Sequence, residues 1–310
     1  MASLPNTAKT ISPLEFNEFR GFELMVKQAV EGFITGLHRS PYHGFSVEFA
    51  EHKLYNPGES TRHVDWKVYA KTDRLYTKRY EEETNLRAML MLDHSSSMYY
   101  PDQNNNKMAF SSFAAGCLAY LLQRQRDAVG LCTFSDQVEY LSQTKSTTAH
   151  LQVILGQLHG LLQAPSVLKK SNIVDVIHQM AETIHQRSLV VIFSDMLDNS
   201  EHTEKLLSAL QHLRHNKHEV LLFHVWDKET EMDFQFEEKP YEFVDLETGE
   251  RMKITPGEVK AAYKKQMTDF YIDLKVRCGQ YKIDLVECGV NEGFRPVMLS
   301  FLTKRAKMHK

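Results

Sequence analysis

The sequence predicts an α/β protein, a mostly parallel sheet flanked by helices, preceded by a smaller module of one helix and β-rich sequence. Three observations carry this. Short apolar runs recur at 88–92, 128–134 and 189–193, the pattern of strands buried on both faces. Stretches with helical periodicity separate them, as parallel crossovers require. Residues 38–87 change character, with Phe45, Val47 and Phe49 alternating with Ser46, Glu48 and Ala50, a period of two.

The chain of 310 residues is long enough for one large α/β domain with a smaller one attached. The expected division is 1–85 and 86–310. Hydrophobic residues make up 42% and charged residues 25%, ordinary for a soluble globular protein. A formal net charge of -3 gives no global attraction to nucleic acid or to an anionic membrane. The four cysteines (Cys117, Cys132, Cys278, Cys288) form no CxxC pair and read as reduced core thiols. No stretch approaches the roughly 20 apolar residues of a spanning helix, and the N-terminal residues lack the apolar core of a signal peptide. The expectation is a cytoplasmic protein with no integral membrane segment.

Taken in order, residues 12–37 form a first helix, with Ser12, Pro13 and Glu15 as its capping signals. Phe19, Phe22, Met25, Val30, Phe33 and Ile34 make its apolar stripe. Asn56-Pro57-Gly58-Glu59 is a turn, and 75–80 forms a strand. Basic and acidic residues are nearly balanced from 38 to 87, which speaks for ion pairing. Arg62, Asp65, Trp66 and Lys67 cluster polar anchors around one aromatic, a solvated network or a partner-docking surface. The α/β region then reads as strand 88–92, helix 107–126, strand 128–134, edge strand 138–141, helix 148–162, helix 172–185, strand 189–193, helix 201–216 and strand 219–226. An irregular stretch at 227–255 contains a hairpin turning at Glu247-Thr248-Gly249-Glu250. Helix 256–278, strand 282–286 and helix 295–304 close the chain. The basic C-terminal residues Lys304, Arg305, Lys307 and Lys310 read as a solvated helix end.

Chemistry concentrates at three element ends. The first strand stops at Asp93, followed by Ser95 and Ser97. Ser171 precedes a helix. Ser194-Asp195 ends the 189–193 run. In an open parallel sheet these ends share one edge, where ligands bind. Converging hydroxyl and carboxylate oxygens are hard donors, suited to Mg²⁺ or Mn²⁺. Singly, each of these residues is also an ordinary cap or turn residue; the set is what points to a metal. His94 lies between ligand positions and by alternation points away.

The set Asp93-x-Ser95-x-Ser97, Ser171, Asp195 resembles the metal-ion-dependent adhesion site of von Willebrand factor type A domains, with Ser171 where that family usually has Thr. The resemblance implies a von Willebrand factor A-like (Rossmann-like) fold. It also implies direct ligation by Ser95 and Ser97, contact through water from Asp93 and Asp195, and completion of the shell by a partner's carboxylate. A narrower resemblance covers nearly the whole chain. Gly44-Phe45-Ser46-Val47-Glu48-Phe49, Tyr55-Asn56-Pro57-Gly58-Glu59, Arg62-His63-Val64-Asp65-Trp66-Lys67 and Glu81-Glu82-Glu83 look like the signature of the bacterial domain-of-unknown-function-58 family. Its members are typically encoded beside MoxR-type AAA+ ATPases. The resemblance implies a metal-dependent module that binds such an ATPase or another acidic protein ligand. A metal-dependent phosphatase is the rival, but it needs a second carboxylate two residues after the nucleophile, where this chain has Ser95. A scaffold with an empty site is the third reading.

Overall fold

The computed structural model describes residues 19–38, 52–54, 68–70, 76–78, 86–101, 106–163, 169–196 and 203–308. The capping signals at residues 12–15, the alternation at 45–49, the turn at 56–59 and the cluster Arg62, Asp65, Trp66 and Lys67 lie outside the described residues. Two compact units are present, one taking in residues up to Glu31 and those from Leu86 on, the other Gly32–Asn85.

In the smaller unit, β1 (His52–Leu54) pairs antiparallel with β2 (Tyr76–Lys78), His52 opposite Lys78. Helix α1 (Phe19–His38) lends its first part to the larger unit, where Phe22, Met25, Val26 and Val30 are buried. They recur at helical spacing, so one face carries them all.

The larger unit is built on six strands. These are β3 (Arg87–Asp93), β4 (Ala128–Phe134), β5 (Val138–Leu141), β6 (Leu189–Ser194), β7 (Glu219–Trp226) and β10 (Asp284–Gly289), in the order β10-β7-β6-β3-β4-β5. All neighbours are parallel except the edge strand β5, which pairs antiparallel with β4. Burial explains the order. The strands β3, β4, β6 and β7 are buried almost throughout, whereas β5 alternates half-buried with exposed residues and β10 is only half-buried over most of its length. A strand without polar residues on either face needs cover on both.

That cover comes from α2 (Lys107–Arg124), α3 (Thr148–Gln163), α4 (Ile173–Thr183), α5 (Thr203–His215), α6 (Pro256–Gln280) and α7 (Arg295–Met308). On one face, Met89, Met91, Val190 and Ile192 pack with Ile177 and Met180 of α4, Leu210 and Leu213 of α5, and Leu274 and Cys278 of α6. Leu90, Leu92, Val191 and Phe193 alternate with them and point to the opposite face. Phe193 stacks there on Phe223, with centroids 4.8 Å apart. Full burial of each such side chain contributes about 1.5–3 kcal/mol. Helices α1, α2 and α3 meet at Gly116. A Cβ there would lie 3.1 Å from a Val26 methyl and 3.4 Å from Phe22 and Leu155, so the helices approach closely because this position lacks a side chain.

Two boundaries depart from the periodicity. The last strand runs over Asp284–Gly289 rather than 282–286, because α6 continues to Gln280 and Lys282 takes a positive φ of 57° in the reversal that follows. A 3-10 turn at Ser96–Tyr99, with no periodic signal of its own, follows β3. The basic end of α7 is also not simply solvated. Lys304 lies 2.9 Å from Glu219 and 2.8 Å from Asp284, and Arg305 pairs with the buried Asp127. These two side chains fasten the helix to the sheet. All four cysteines are free and buried. Among the described residues no helix is long and apolar enough to cross a membrane.

The insert between β7 and α6 holds a π-helical turn at Lys228–Met232 and the expected hairpin, β8 (Tyr241–Val244) paired with β9 (Arg251–Ile254).

Candidate functional site

The site forms where β3, β4 and β6 end together. Asp93 closes β3, its neighbour His94 extends the ladder by donating its N–H to the Phe134 carbonyl at 2.8 Å, and the chain then turns into the 3-10 segment. The turn is stabilised by Asp93 itself, whose Oδ1 accepts the Ser95 N–H at 2.9 Å. The Ser95 and Ser97 hydroxyls lie 3.0 Å apart. Ser96, the residue between them, performs a separate task. Its N–H donates to the Lys169 carbonyl at 3.1 Å and its hydroxyl accepts the Lys169 N–H at 2.7 Å. Asn172 in turn donates its N–H to the Ser135 carbonyl at 2.9 Å. These two anchors hold Ser171 over Asp93, and its hydroxyl donates to Asp93 Oδ2 at 3.0 Å. From β6, Ser194 donates to the same oxygen at 2.9 Å.

Strand β6 ends Phe193-Ser194, and the acid just past it, Asp195, is 2% exposed. Its carbonyl accepts a hydrogen bond from His224 Nε2 at 2.9 Å, and its Oδ2 lies 2.7 Å from Lys107 Nζ. Lys107 is fully buried at the start of α2 and also pairs with Glu231 of the π-helical turn. Thus the structure brings Asp93, Ser95, Ser97, Ser171 and Asp195 to one sheet edge and adds Ser194, Lys107, Glu231 and Glu247. Glu247, in the β8–β9 turn, accepts the Ser171 N–H at 3.2 Å. No sequence spacing connects Lys107, Glu231 or Glu247 to the Asp93 motif; only the placement of the insert does.

His94 is turned away from this set, as alternation requires. Its Nε2 stands 3.3 Å from Glu139 Oε2, without hydrogen-bond geometry, and burial holds its pKa below the usual value.

The electrostatics of the site are those of crowded acids. Burial, reinforced by the charge of Asp195, pushes Asp93 up to about 7 against the hydrogen bonds it accepts. Burial works against the charge of Lys107, but Asp195 and Glu231 outweigh it and hold the ammonium above the ordinary lysine range. Burial raises Glu231 and Glu247 as well. The atoms offered are carboxylate and hydroxyl oxygens, the donor type a hard cation takes, and one of the carboxylates, Asp195, already faces the Lys107 ammonium. Ser95, Ser97 and Ser171 would have to serve beside Asp93 and Asp195, since among the described residues no group of three or more His, Cys, Asp or Glu is placed to hold a metal ion.

Burial also fixes His224. It is 2% exposed, and desolvation lowers its pKa to about 4 from an ordinary 6.5. Its Nε2–H donates to Asp195, leaving Nδ1 as the bare nitrogen. The unfolded chain therefore binds a proton that the folded one refuses between these two values. The stability this residue contributes is complete above pH 6.5 and is lost as the pH falls through 4, about 3 kcal/mol in all. Urea unfolding from about pH 7.5 to 4 checks this: the wild type loses that amount more than His224→Gln, and parallel pH profiles would contradict it.

A doubly wound α/β unit with an oxygen-rich site at the carboxyl ends of its central strands belongs to the class that binds ligands at that edge. Within that class, the chain belongs to the family described as protein of unknown function DUF58, whose model matches residues 51–270. Similar sequences include uncharacterized proteins from Mycobacterium bovis and Mycobacterium tuberculosis, each 24% identical over 208 residues, or 67% of this chain and 64% of theirs. The chain thus spans less than two thirds of the length of these relatives. Similar solved structures include the conserved hypothetical protein BatB from Bacteroides thetaiotaomicron, with a TM-score of 0.44 and 12% identity, covering 72% of this chain and 99% of that one. The VWA domain of SpRpn10 matches with a TM-score of 0.37 and 14% identity, covering 69% and 93%.

Proposed function

We propose that the chain is a non-catalytic, divalent-metal-dependent protein-binding module that works with a MoxR-type AAA+ ATPase. Mg²⁺ or Mn²⁺ is held by Asp93, Ser95, Ser97, Ser171 and Asp195, and supplies a Lewis-acidic position for an Asp or Glu of the protein partner. The observation that carries this reading is the single hydrogen-bonded set in which Ser95, Ser171 and Ser194 all point at Asp93, with the Ser95 and Ser97 hydroxyls side by side. Binding is favoured over hydrolysis because Ser95 stands where a general acid would be needed. The MoxR partnership rests on the family resemblance, and a cytoplasmic location agrees with it.

Lys107 favours a second reading. Its ammonium already pairs with Asp195, as it would in a scaffold that holds no metal. Capture of the companion ATPase by the wild type and by Asp93→Ala, with and without EDTA, tests the proposal. Binding is expected to vanish in EDTA and in the variant; metal-independent binding of full strength would contradict it.

A further inference from the structure

Lys107 has no exposed surface, although lysine is among the side chains least often fully buried. Its ammonium meets Asp195 Oδ2 at 2.7 Å, Glu231 Oε1, and the ring of Tyr100, whose centroid is 5.9 Å from Nζ and so within cation–π reach. Of these three groups, only Asp195 belongs to the five-residue set. The other two are held in place without it. Glu231 is fixed by its second oxygen, Oε2, which accepts the Asp227 N–H at 2.7 Å. Asp227 in turn caps the π-helical turn, its Oδ2 accepting the Thr230 N–H at 3.1 Å and the Thr230 hydroxyl at 2.6 Å. The Tyr100 carbonyl accepts the Lys107 N–H at 3.1 Å, which keeps ring and ammonium together. The insert between β7 and α6 thus gives Lys107 a carboxylate that does not depend on Asp195. A divalent ion at Asp195 would stand beside the ammonium, and like charges repel strongly in buried surroundings.

We infer that Lys107 is the resident cation of the site: it yields Asp195 to an entering divalent ion and stays with Glu231 and Tyr100. This rests on the metal-binding reading above. Ion uptake is then an exchange, and the apparent affinity for the ion is reduced by the fraction of molecules in which Lys107 holds Asp195. Glu231 makes the exchange possible, because without it the displaced ammonium would be buried with no counter-charge.

Calorimetric titration of the full chain with Mn²⁺ tests this, as wild type, Lys107→Met, Glu231→Gln and the double variant. Lys107→Met is expected to bind Mn²⁺ about tenfold more tightly, since the competing cation is gone. Glu231→Gln is expected to bind it about tenfold more weakly, since the displaced ammonium then has no acid to receive it. In the double variant the Glu231→Gln effect should disappear, because Glu231 acts through Lys107. Glu229→Gln removes the same charge from the same turn, outside the Lys107 pairs, and should change affinity less than about twofold; this comparison carries the test if Lys107→Met does not fold. If Lys107→Met and Glu231→Gln both keep the wild-type affinity while Ser97→Ala loses the ion, the exchange is wrong and the metal site stands. Additive effects in the double variant, or equal effects of Glu229→Gln and Glu231→Gln, would reduce these residues to a general field and overturn the exchange too. If none of these chains takes up Mn²⁺, the exchange and the metal-binding reading fall together.

Discussion

Replacing Lys107 with methionine is expected to lower the unfolding free energy by about 3–5 kcal/mol, the cost of stranding buried charges by removing their partner. The side chain is fully buried, 2.7 Å from Asp195 and paired also with Glu231. Its placement opposes the local field: Asn106 caps α2, accepting the Ala109 N–H at 2.7 Å, and Lys107 is the first helical residue. A cation is disfavoured at that helix end, so the two acids are what hold it there. Methionine fills the space but leaves Asp195 and Glu231 without a counter-charge. Because those acids can be neutralised by protons, the loss shrinks in acid. Divalent metal should restore part of it, since a cation bound beside Asp195 takes over the compensation. Urea unfolding with and without Mg²⁺ measures both effects; a loss below about 1 kcal/mol, in the range of an exposed pair, would show that the buried pairing does not form.

Asp93→Ala is expected to weaken Mg²⁺ binding at least about a hundredfold, because the site loses one of two carboxylates in a set otherwise made of hydroxyls. Stability responds differently. The Ser95 N–H and the Ser171 and Ser194 hydroxyls lose their acceptor, each a cost of about 1–3 kcal/mol when left unpaired. Relief of the repulsion from Asp195 offsets part of this, leaving a net loss of about 1–3 kcal/mol. Asp93→Asn separates the two consequences. Its amide oxygen still accepts the Ser95 N–H and its NH2 donates to the Ser171 and Ser194 hydroxyls, which reverse roles, so thermal unfolding should stay near that of the wild type while metal affinity falls as in the alanine variant. Equal affinity in Asp93→Asn and wild type would remove Asp93 from the metal site.

The central strands were legible because they are buried on both faces: Ala88 to Leu92 and Leu189 to Phe193 leave no polar interruption to misread. The convergence of Asp93 and Asp195 followed from parallel topology, whereas Ser171, which ends no strand, is placed by the anchors of Ser96 on Lys169 and of Asn172 on Ser135. What the sequence could not show is where an irregular insert goes. The turn at Glu247-Thr248-Gly249-Glu250 was readable from Gly249, but the direction of Glu247 depends on the aromatic packing of Phe234, Phe236 and Phe243. Lys107 gave no signal either, since a lysine at a helix start resembles a surface residue until its tertiary partners are known. Lys304 and Arg305 show the same limit: a basic helix end looks solvated in sequence, and its partners Glu219, Asp284 and Asp127 lie far away along the chain.

Calorimetric titration of the wild-type chain with Mg²⁺ and Mn²⁺, alongside Ser97→Ala, tests the central claim most directly. Saturable binding of one ion per chain, lost in Ser97→Ala, is the result expected of a metal-dependent binding module. No heat of binding for either ion, with the two chains indistinguishable, would show that Lys107 has taken the cation's place and that the site is a scaffold.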